Sequence, residues 1–262
     1  MRQGLLHALR DPPRHGSGFR ALQGAGVLLT PPRPPVHAVL FDAGNTLVYA
    51  NTDRMADILR SVGTSTDGRR VRAAEREARR RLHRALGSDG RDTQPRVWKD
   101  YFAEIFRETG VPEGRLAEAG RLLTETHGTD HLWTQVAEGT TETLTALAAA
   151  GYRLGVISNA DGRMEALLAS VGLRGHFEFV VDSEVFGATK PDPEIFLEGC
   201  RRMGLAAAEC LYVGDLYPVD YLGATRAGLQ AVLFDPWDFH DGKAPRIRSL
   251  GELPALLANG RG

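Results

Sequence analysis

The sequence predicts an α/β protein: a parallel sheet with helices on both faces, interrupted by an all-helical insertion above the sheet's carboxyl edge. Three observations predict it. A short apolar run, Val39-Leu40-Phe41, suits a strand covered on both faces and ends abruptly at Asp42. A stretch of roughly residues 50–135 then carries helical spacing and no strand signal. From Glu138 to Phe234, helices and strands alternate.

Each element has its own warrant. Residues 1 to about 35 hold Arg2, Arg10, Arg14, Arg20 and Arg33 against a single acid, Asp11, and close with Pro31-Pro32-Arg33-Pro34-Pro35. Such a segment cannot bury enough apolar surface to offset its ordering entropy, so it is expected to be a disordered extension without function. A transit peptide is the other reading of an arginine-rich, acid-poor start, but Ser17 is its only serine. The core is expected over 36–49 and 136–262, and the helical unit over 50–135.

Within that unit, Asp53 to Val62 reads as a helix with Ile58 and Leu59 on its apolar face. Asp67 to Leu86 places Val71, Ala74, Ala78, Leu82 and Leu86 at helical spacing, with Glu75 and Arg79 as an i,i+4 pair. Its many arginines have no interleaved aromatics, so a solvated face is expected rather than a nucleic-acid surface. Pro95 to Thr109 carries Trp98, Phe102, Ile105 and Phe106 on one face, expected to be the unit's core, and Pro112 to Thr126 completes a fourth helix.

The later elements follow in turn. Gly139 to Ala150 is a helix closed by Gly151. The strand Arg153 to Ile157, the helix Arg163 to Val171 and the strand Phe179 to Val181 come next. Then follow a helix from Asp192 to Met203 with Pro193 in its first turn, a strand Leu211 to Val213, a helix Val219 to Ala227 and a strand Ala231 to Phe234.

Composition excludes several classes. A hydrophobic share of 42% with 25% charged residues is that of an ordinary globular chain, and a net charge of −1 argues against nucleic acid. No apolar run reaches the roughly 18 residues of a membrane span. Cys200 and Cys210 have no disulfide or metal spacing and read as buried thiols in a reducing, cytoplasmic compartment. Nothing in the sequence speaks to oligomeric state.

The chemistry gathers at strand ends, where open α/β sheets place their ligands. Asp42 alone reads better as a cap of the turn after a buried strand than as a nucleophile. Three further ends change the balance: Ser158-Asn159 after Val156-Ile157, Lys190 ahead of a helix, and Asp215 after Val213-Gly214 with Asp220 close behind. Asp42, Asp215 and Asp220 at one edge repel one another unless a cation is present, and Mg²⁺ suits such a hard oxygen site. Ser158 and Lys190 supply a neutral donor and a positive point charge for phosphate oxygens. Asp42 can then attack phosphorus in line.

These stretches resemble, in order, the four motifs of the haloacid dehalogenase (HAD) superfamily. Asp42 to Leu47 resembles the first, Val156 to Asn159 the second, Lys190 to Phe196 the third, and Val213 to Asp215 with Asp220 and Gly223 to Gly228 the fourth. The long interval between Asp42 and Ser158 matches members with a helical cap between the first two motifs. The resemblance implies a Rossmann-like, doubly wound core and a phosphatase acting on a small phosphorylated molecule. It also implies Asp42, Ser158 and Lys190 as catalytic residues, with Ser158, Asn159 and Lys190 binding substrate. Mg²⁺ would be held by Asp42, the Gly44 carbonyl, Asp215 and Asp220. Asn159 either offers its backbone N–H to phosphate or caps the next helix.

One departure stands out. Phosphatases of the family carry a second Asp two residues after the nucleophile, as general acid and base; here that position is Gly44. Losing such a group costs on the order of 10²–10⁴ in rate. Asp at this position is expected to restore the proton donor, unless a backbone angle suited to glycine or crowding by the cap resists it. A 2-haloacid dehalogenase needs no such acid, and a phosphonate hydrolase needs a cap lysine instead. The only cap lysine, Lys99, is expected to face solvent. A HAD-shaped binding protein without turnover is the third reading. His127 and His131 have metal-like spacing but no third ligand nearby in sequence, and are expected to be polar linker residues.

Overall fold

Alternation along the first strand divides the core into two apolar layers. A computed structural model describes residues 34–86, 95–240, 242 and 244–259. The expected extension lies outside the described residues, apart from Pro34 and Pro35. In chain order the elements begin with β1 (Ala38–Phe41), β2 (Val48–Ala50), α1 (Thr52–Ser61), α2 (Gly68–Ala85), α3 (Pro95–Glu108), α4 (Leu116–Thr129) and β3 (Trp133–Val136). Next come α5 (Thr140–Ala149), β4 (Arg153–Ser158), α6 (Met164–Ser170), β5 (Phe179–Asp182), α7 (Ser183–Phe186) and α8 (Pro193–Met203). The chain closes with β6 (Cys210–Gly214), α9 (Leu222–Arg226), β7 (Gln230–Phe234), β8 (Arg246–Ile247) and α10 (Leu253–Asn259).

Six strands form one parallel sheet in the order β5-β4-β1-β6-β7-β8. Val39 and Phe41 face one layer with Leu144, Leu147, Leu167 and Leu168 of α5 and α6. Ala38 and Leu40 face the other with Ile195, Phe196 and Cys200 of α8 and Ala224 of α9. β1 is buried on both faces, so each large side chain on it contributes roughly 1.5–3 kcal/mol. This is the doubly wound α/β fold that the alternation predicts. Cys200 and Cys210 are both free and buried in the second layer.

The register fixes the functional edge. Phe41 is aligned with Val156 on one side and Val213 on the other, and the Asp42 N–H donates to the Val213 carbonyl at 2.8 Å. Asp42 is therefore level with Ile157 and Gly214, and Ser158 and Asp215 follow one residue further along the same edge. Glycine is required at two approaches here. A Cβ on Gly214 would come within 2.5 Å of Asp220 Cγ, and one on Gly223 would meet the Phe196 ring at 2.8 Å.

Helices α1 to α4 share a separate apolar cluster that includes Met55, Leu59, Val71, Leu82, Ile105, Phe106 and Leu123. Asn51 caps α1 by accepting from the Arg54 N–H at 3.0 Å, and Asp67 caps α2 by accepting from the Arg70 N–H at 2.8 Å. Below them, β2 and β3 pair as an antiparallel ribbon that joins the helical unit to the sheet. The ribbon's strands, three and four residues long, are too short to give a strand period in a segment read as purely helical.

Other differences are local. The fourth helix runs later than expected, after a tight turn at Glu113–Arg115. The predicted Val219–Ala227 helix begins as a wide turn over Tyr217–Tyr221 before α9. α7, β8 and α10 were not anticipated; their runs of seven residues or fewer carry too little periodicity. Among the described residues no helix is long and apolar enough to cross a membrane.

Candidate active site

The three carboxylates expected at the sheet edge do converge. One oxygen from each of Asp42, Asp215 and Asp220 lies within 4.8 Å of the others, and all three residues are buried. Two cations hold them together. Lys190 Nζ donates to Asp42 Oδ1 at 2.6 Å and to Asp220 Oδ1 at 2.7 Å, and Arg79 Nη2 donates to Asp215 Oδ2 at 3.0 Å. Thr46 Oγ1 donates to Asp42 Oδ2 at 3.3 Å. The Leu216 N–H donates to Asp220 Oδ2 at 2.9 Å, which pins that side chain inside the wide turn.

Burial governs the protonation of the cluster. It pushes the Asp42 carboxyl up to about 6, although Lys190 pulls the other way. It pushes Asp215 up to about 8 against the pull of Arg79. Burial opposes the Lys190 charge too, but Asp220 and Asp42 outweigh it and hold the ammonium protonated.

Ser158 and Gly44 line the same cavity as Asp42, Lys190, Asp215 and Asp220. Asn159 lines it as well, but its side chain is committed elsewhere. Its Oδ1 accepts from the Lys190 N–H at 2.8 Å and its Nδ2 donates to the Lys190 carbonyl at 3.0 Å. Asn159 thus clamps the Lys190 backbone and does not cap the next helix. Asp182 does that, accepting from the N–H groups of Gly162 at 3.0 Å and Met164 at 3.1 Å.

Several expectations about the helical unit need correction. α2 is not solely a solvated face. Arg79 is 2% exposed, packs over the Trp237 ring at 5.2 Å and reaches Asp215, while Glu75 beside it is buried and accepts from Tyr101 Oη at 2.9 Å. The signal was available: Arg79 falls on the stripe of Val71, Ala78 and Leu82. Of the aromatic face on α3, Phe106 is buried, but Trp98 is 37% exposed and Phe102 half-buried, and all three line the cavity. Lys99 is exposed at the cavity's rim.

His127 and His131 do have a third neighbour in space, Asp161. The ring centres lie 4.2 Å apart, and His127 Nε2 is 3.2 Å from Asp161 Oδ2. Both Nδ1 atoms accept backbone N–H groups, from Leu132 and Trp133, so each neutral ring carries its proton on Nε2. Arg163 also donates to Asp161 Oδ2, at 3.1 Å. The group is a hydrogen-bonded seam between the end of α4 and the loop after β4.

Neither obstacle to a side chain is found at Gly44. Its backbone is outside the left-handed region, which Asn45 occupies instead with φ 61°. A Cβ on Gly44 would meet only Trp133, with Nε1 at 3.8 Å, an ordinary contact. Tyr212 was missed altogether. Its hydroxyl accepts from Lys190 Nζ at 3.0 Å and donates to the Ile157 carbonyl at 3.0 Å. A phenol amid the apolar strand residues Leu211 and Val213 was the clue.

Residues 36–228 match the family described as "Hydrolase: haloacid dehalogenase-like hydrolase". A relative from Danio rerio, "Haloacid dehalogenase-like hydrolase domain-containing protein 3", is 32% identical over 86% of this chain and 98% of its own length. The mouse protein of that name is 39% identical over 54% of this chain, and the match spans 56% of its own length. A "Glyceraldehyde 3-phosphate phosphatase" from Methanopyrus kandleri is 31% identical over 75% of this chain and 83% of its own. Among solved structures, a HAD phosphatase from Thermococcus onnurineus superposes with a TM-score of 0.56 at 25% identity, covering 85% of this chain and 98% of that one.

Proposed function

Because the chain belongs to the haloacid dehalogenase-like hydrolases, we propose that it is a Mg²⁺-dependent phosphatase acting on a small phosphorylated molecule through Asp42. The observation that carries this reading is the buried trio Asp42, Asp215 and Asp220. When ionised, the three carboxylates outnumber the two cations that face them, Lys190 and Arg79, and Arg79 is shared with the buried Glu75, so negative charge is left over. An all-oxygen set with that residual charge suits Mg²⁺, which takes few carboxylates and leaves positions for substrate oxygens. Asp42, Asp215, Asp220 and the Gly44 carbonyl would hold the ion, which when bound offsets charge on the phosphoryl oxygens.

The chain's own groups account for the rest. Asp42 attacks phosphorus in line, the bond to the leaving oxygen breaks, and water then cleaves the aspartyl phosphate. Lys190 keeps Asp42 ionised and aimed, and is itself placed by the Asn159 clamp and Tyr212. The Ser158 hydroxyl, the Asn159 N–H and the Lys190 ammonium bind the remaining phosphoryl oxygens. The phosphatase names of the relatives from Methanopyrus kandleri and Thermococcus onnurineus support the same reading.

Phosphate release is expected to require Mg²⁺ and to fall by a factor on the order of 10³ or more in Asp42→Asn. Calorimetric Mg²⁺ binding should weaken in Asp215→Asn. Turnover of a 2-haloacid in excess chelator would overturn the reading in favour of a dehalogenase. Intact Mg²⁺ binding with no ester hydrolysed would favour a binding protein.

A further inference from the structure

Above Asp42 the cavity opens to about 1210 Å³, which exceeds the span of roughly 300–1,000 Å³ common for small-molecule sites. A phosphorylated three-carbon unit would leave most of it empty. One wall is a row of aromatic rings that starts beside the nucleophile. Trp133 of β3 stands next to Gly44, two residues from Asp42, with Nε1 at 3.8 Å from the site of a Gly44 Cβ. Phe102 of α3 meets the Trp133 ring edge to face at 6.3 Å. Tyr101, buried behind this wall, links Phe102 to Trp98, at 5.1 Å and 5.8 Å between ring centres. Trp133 and Phe102 are only half-buried and Trp98 is 37% exposed, so apolar ring surface remains open towards the cavity. Such surface gains most from covering by a flat, apolar group.

A second observation concerns the leaving oxygen. Among the described residues, the carboxyls clustered with Asp42 are Asp215 and Asp220, both engaged by cations or assigned to the ion. The cavity's other acids and imidazoles, such as Glu184, Asp161, His127 and His131, stand outside that cluster. Position 44, two residues from Asp42 on the cavity wall, carries no side chain, and Trp133 beside it offers an indole N–H that does not act as an acid. An alkoxide leaves poorly without a proton, whereas an aryloxide leaves far more readily.

We propose that the preferred substrates are aryl phosphate monoesters, with the aromatic leaving group lying along Trp133 and Phe102; this rests on the phosphatase reading above. An Asp42 oxygen forms the bond to phosphorus, the P–O(aryl) bond breaks, and its electron pair departs with the aryl oxygen, which takes its proton from water. Water then splits the aspartyl phosphate to inorganic phosphate and the Asp42 carboxylate.

The test uses the full chain saturated with Mg²⁺. Calorimetry compares methylphosphonate, benzylphosphonate and naphthylmethylphosphonate, and kinetics compare phenyl phosphate with glycerol phosphate. Benzylphosphonate should bind about tenfold or more tightly than methylphosphonate, as one stacked ring and its buried area imply, and the naphthyl compound at least as tightly. Phenyl phosphate should exceed glycerol phosphate in kcat/KM by about 10². Phe102→Leu, which keeps the apolar bulk and removes the ring, should shrink the benzyl-to-methyl ratio about fivefold. Equal binding of the methyl and benzyl compounds, a preference for glycerol phosphate, or an unchanged ratio in Phe102→Leu would each overturn the proposal while leaving a phosphatase in place. No phosphonate bound and no ester hydrolysed would remove the phosphatase reading as well.

Discussion

At the scale of single residues, Gly44 decides most. Asp42, Ser158 and Asp215 were legible because each is a polar residue placed where an apolar strand stops, and Asp220 and Lys190 because each lies between such a strand and a following helix. Whether position 44 could accept a side chain was not legible, because it depends on Trp133, far along the chain, and on a turn whose left-handed residue is Asn45. With an ordinary backbone and one ordinary contact, Gly44→Asp should fold with its thermal midpoint within a few degrees of wild type. The new carboxyl lies two residues from Asp42 and can protonate a leaving alkoxide. Turnover of an alkyl phosphate should therefore rise by a factor on the order of 10–10², with little change for an aryl phosphate. Steady-state kinetics on one ester of each kind check this, and a parallel gain on both would mean that the carboxyl acts otherwise than as a proton donor.

Among the elements, the longer helices and the apolar strands of the core were readable, and the shortest pieces outside that alternation were not. Helices of ten residues or more repeat their apolar spacing often enough to be recognised, whereas β2, β3, α7 and β8 offer two to four residues each. α2 shows the limit of reading a helix by composition: its arginines look alike by count, and it is the place of Arg79 on the apolar stripe, not its residue type, that marks it as buried. Arg79→Gln should cost about 3–5 kcal/mol in metal-free protein by denaturant unfolding, because Asp215 and Glu75 lose the charge that compensates them. Arg76→Gln, on the exposed face of the same helix, should stay within about 0.5 kcal/mol. Added Mg²⁺ should restore stability more in Arg79→Gln than in wild type, since Asp215 then lacks a partner. Equal losses in the two arginine variants would dismiss the buried ion pair as a stabilising contact.

For the molecule as a whole, the alternation of helix and strand foretold the sheet, but the seam between helical unit and sheet was hidden, since its contacts join residues such as Arg79 and Asp215, 136 positions apart. His83 of α2 lies in that seam, its ring 5.6 Å from Phe239. Burial, then Arg79, depresses its pKa from 6.5 to about 4, so the folded protein keeps the imidazole neutral. Its contribution is complete above pH 6.5 and is lost as pH falls towards 4, because the unfolded chain takes the proton first. At pH 5 the loss should be about 1–2 kcal/mol. Comparing wild type with His83→Gln by denaturant unfolding at pH 7.5 and pH 5 isolates it: the gap between them should narrow at the lower pH. The ribbon of β2 and β3 has a consequence of another kind. Ala50 and Trp133 are partners across it, so the chain leaves the sheet and returns through one doorway. To the sheet, everything between is one detour with adjoining ends, and the entropy of closing it grows only slowly with its length. Over evolutionary time the detour can be lengthened, trimmed or exchanged while the charged machinery beneath keeps its register, so the range of molecules handled can drift without the chemistry being rebuilt.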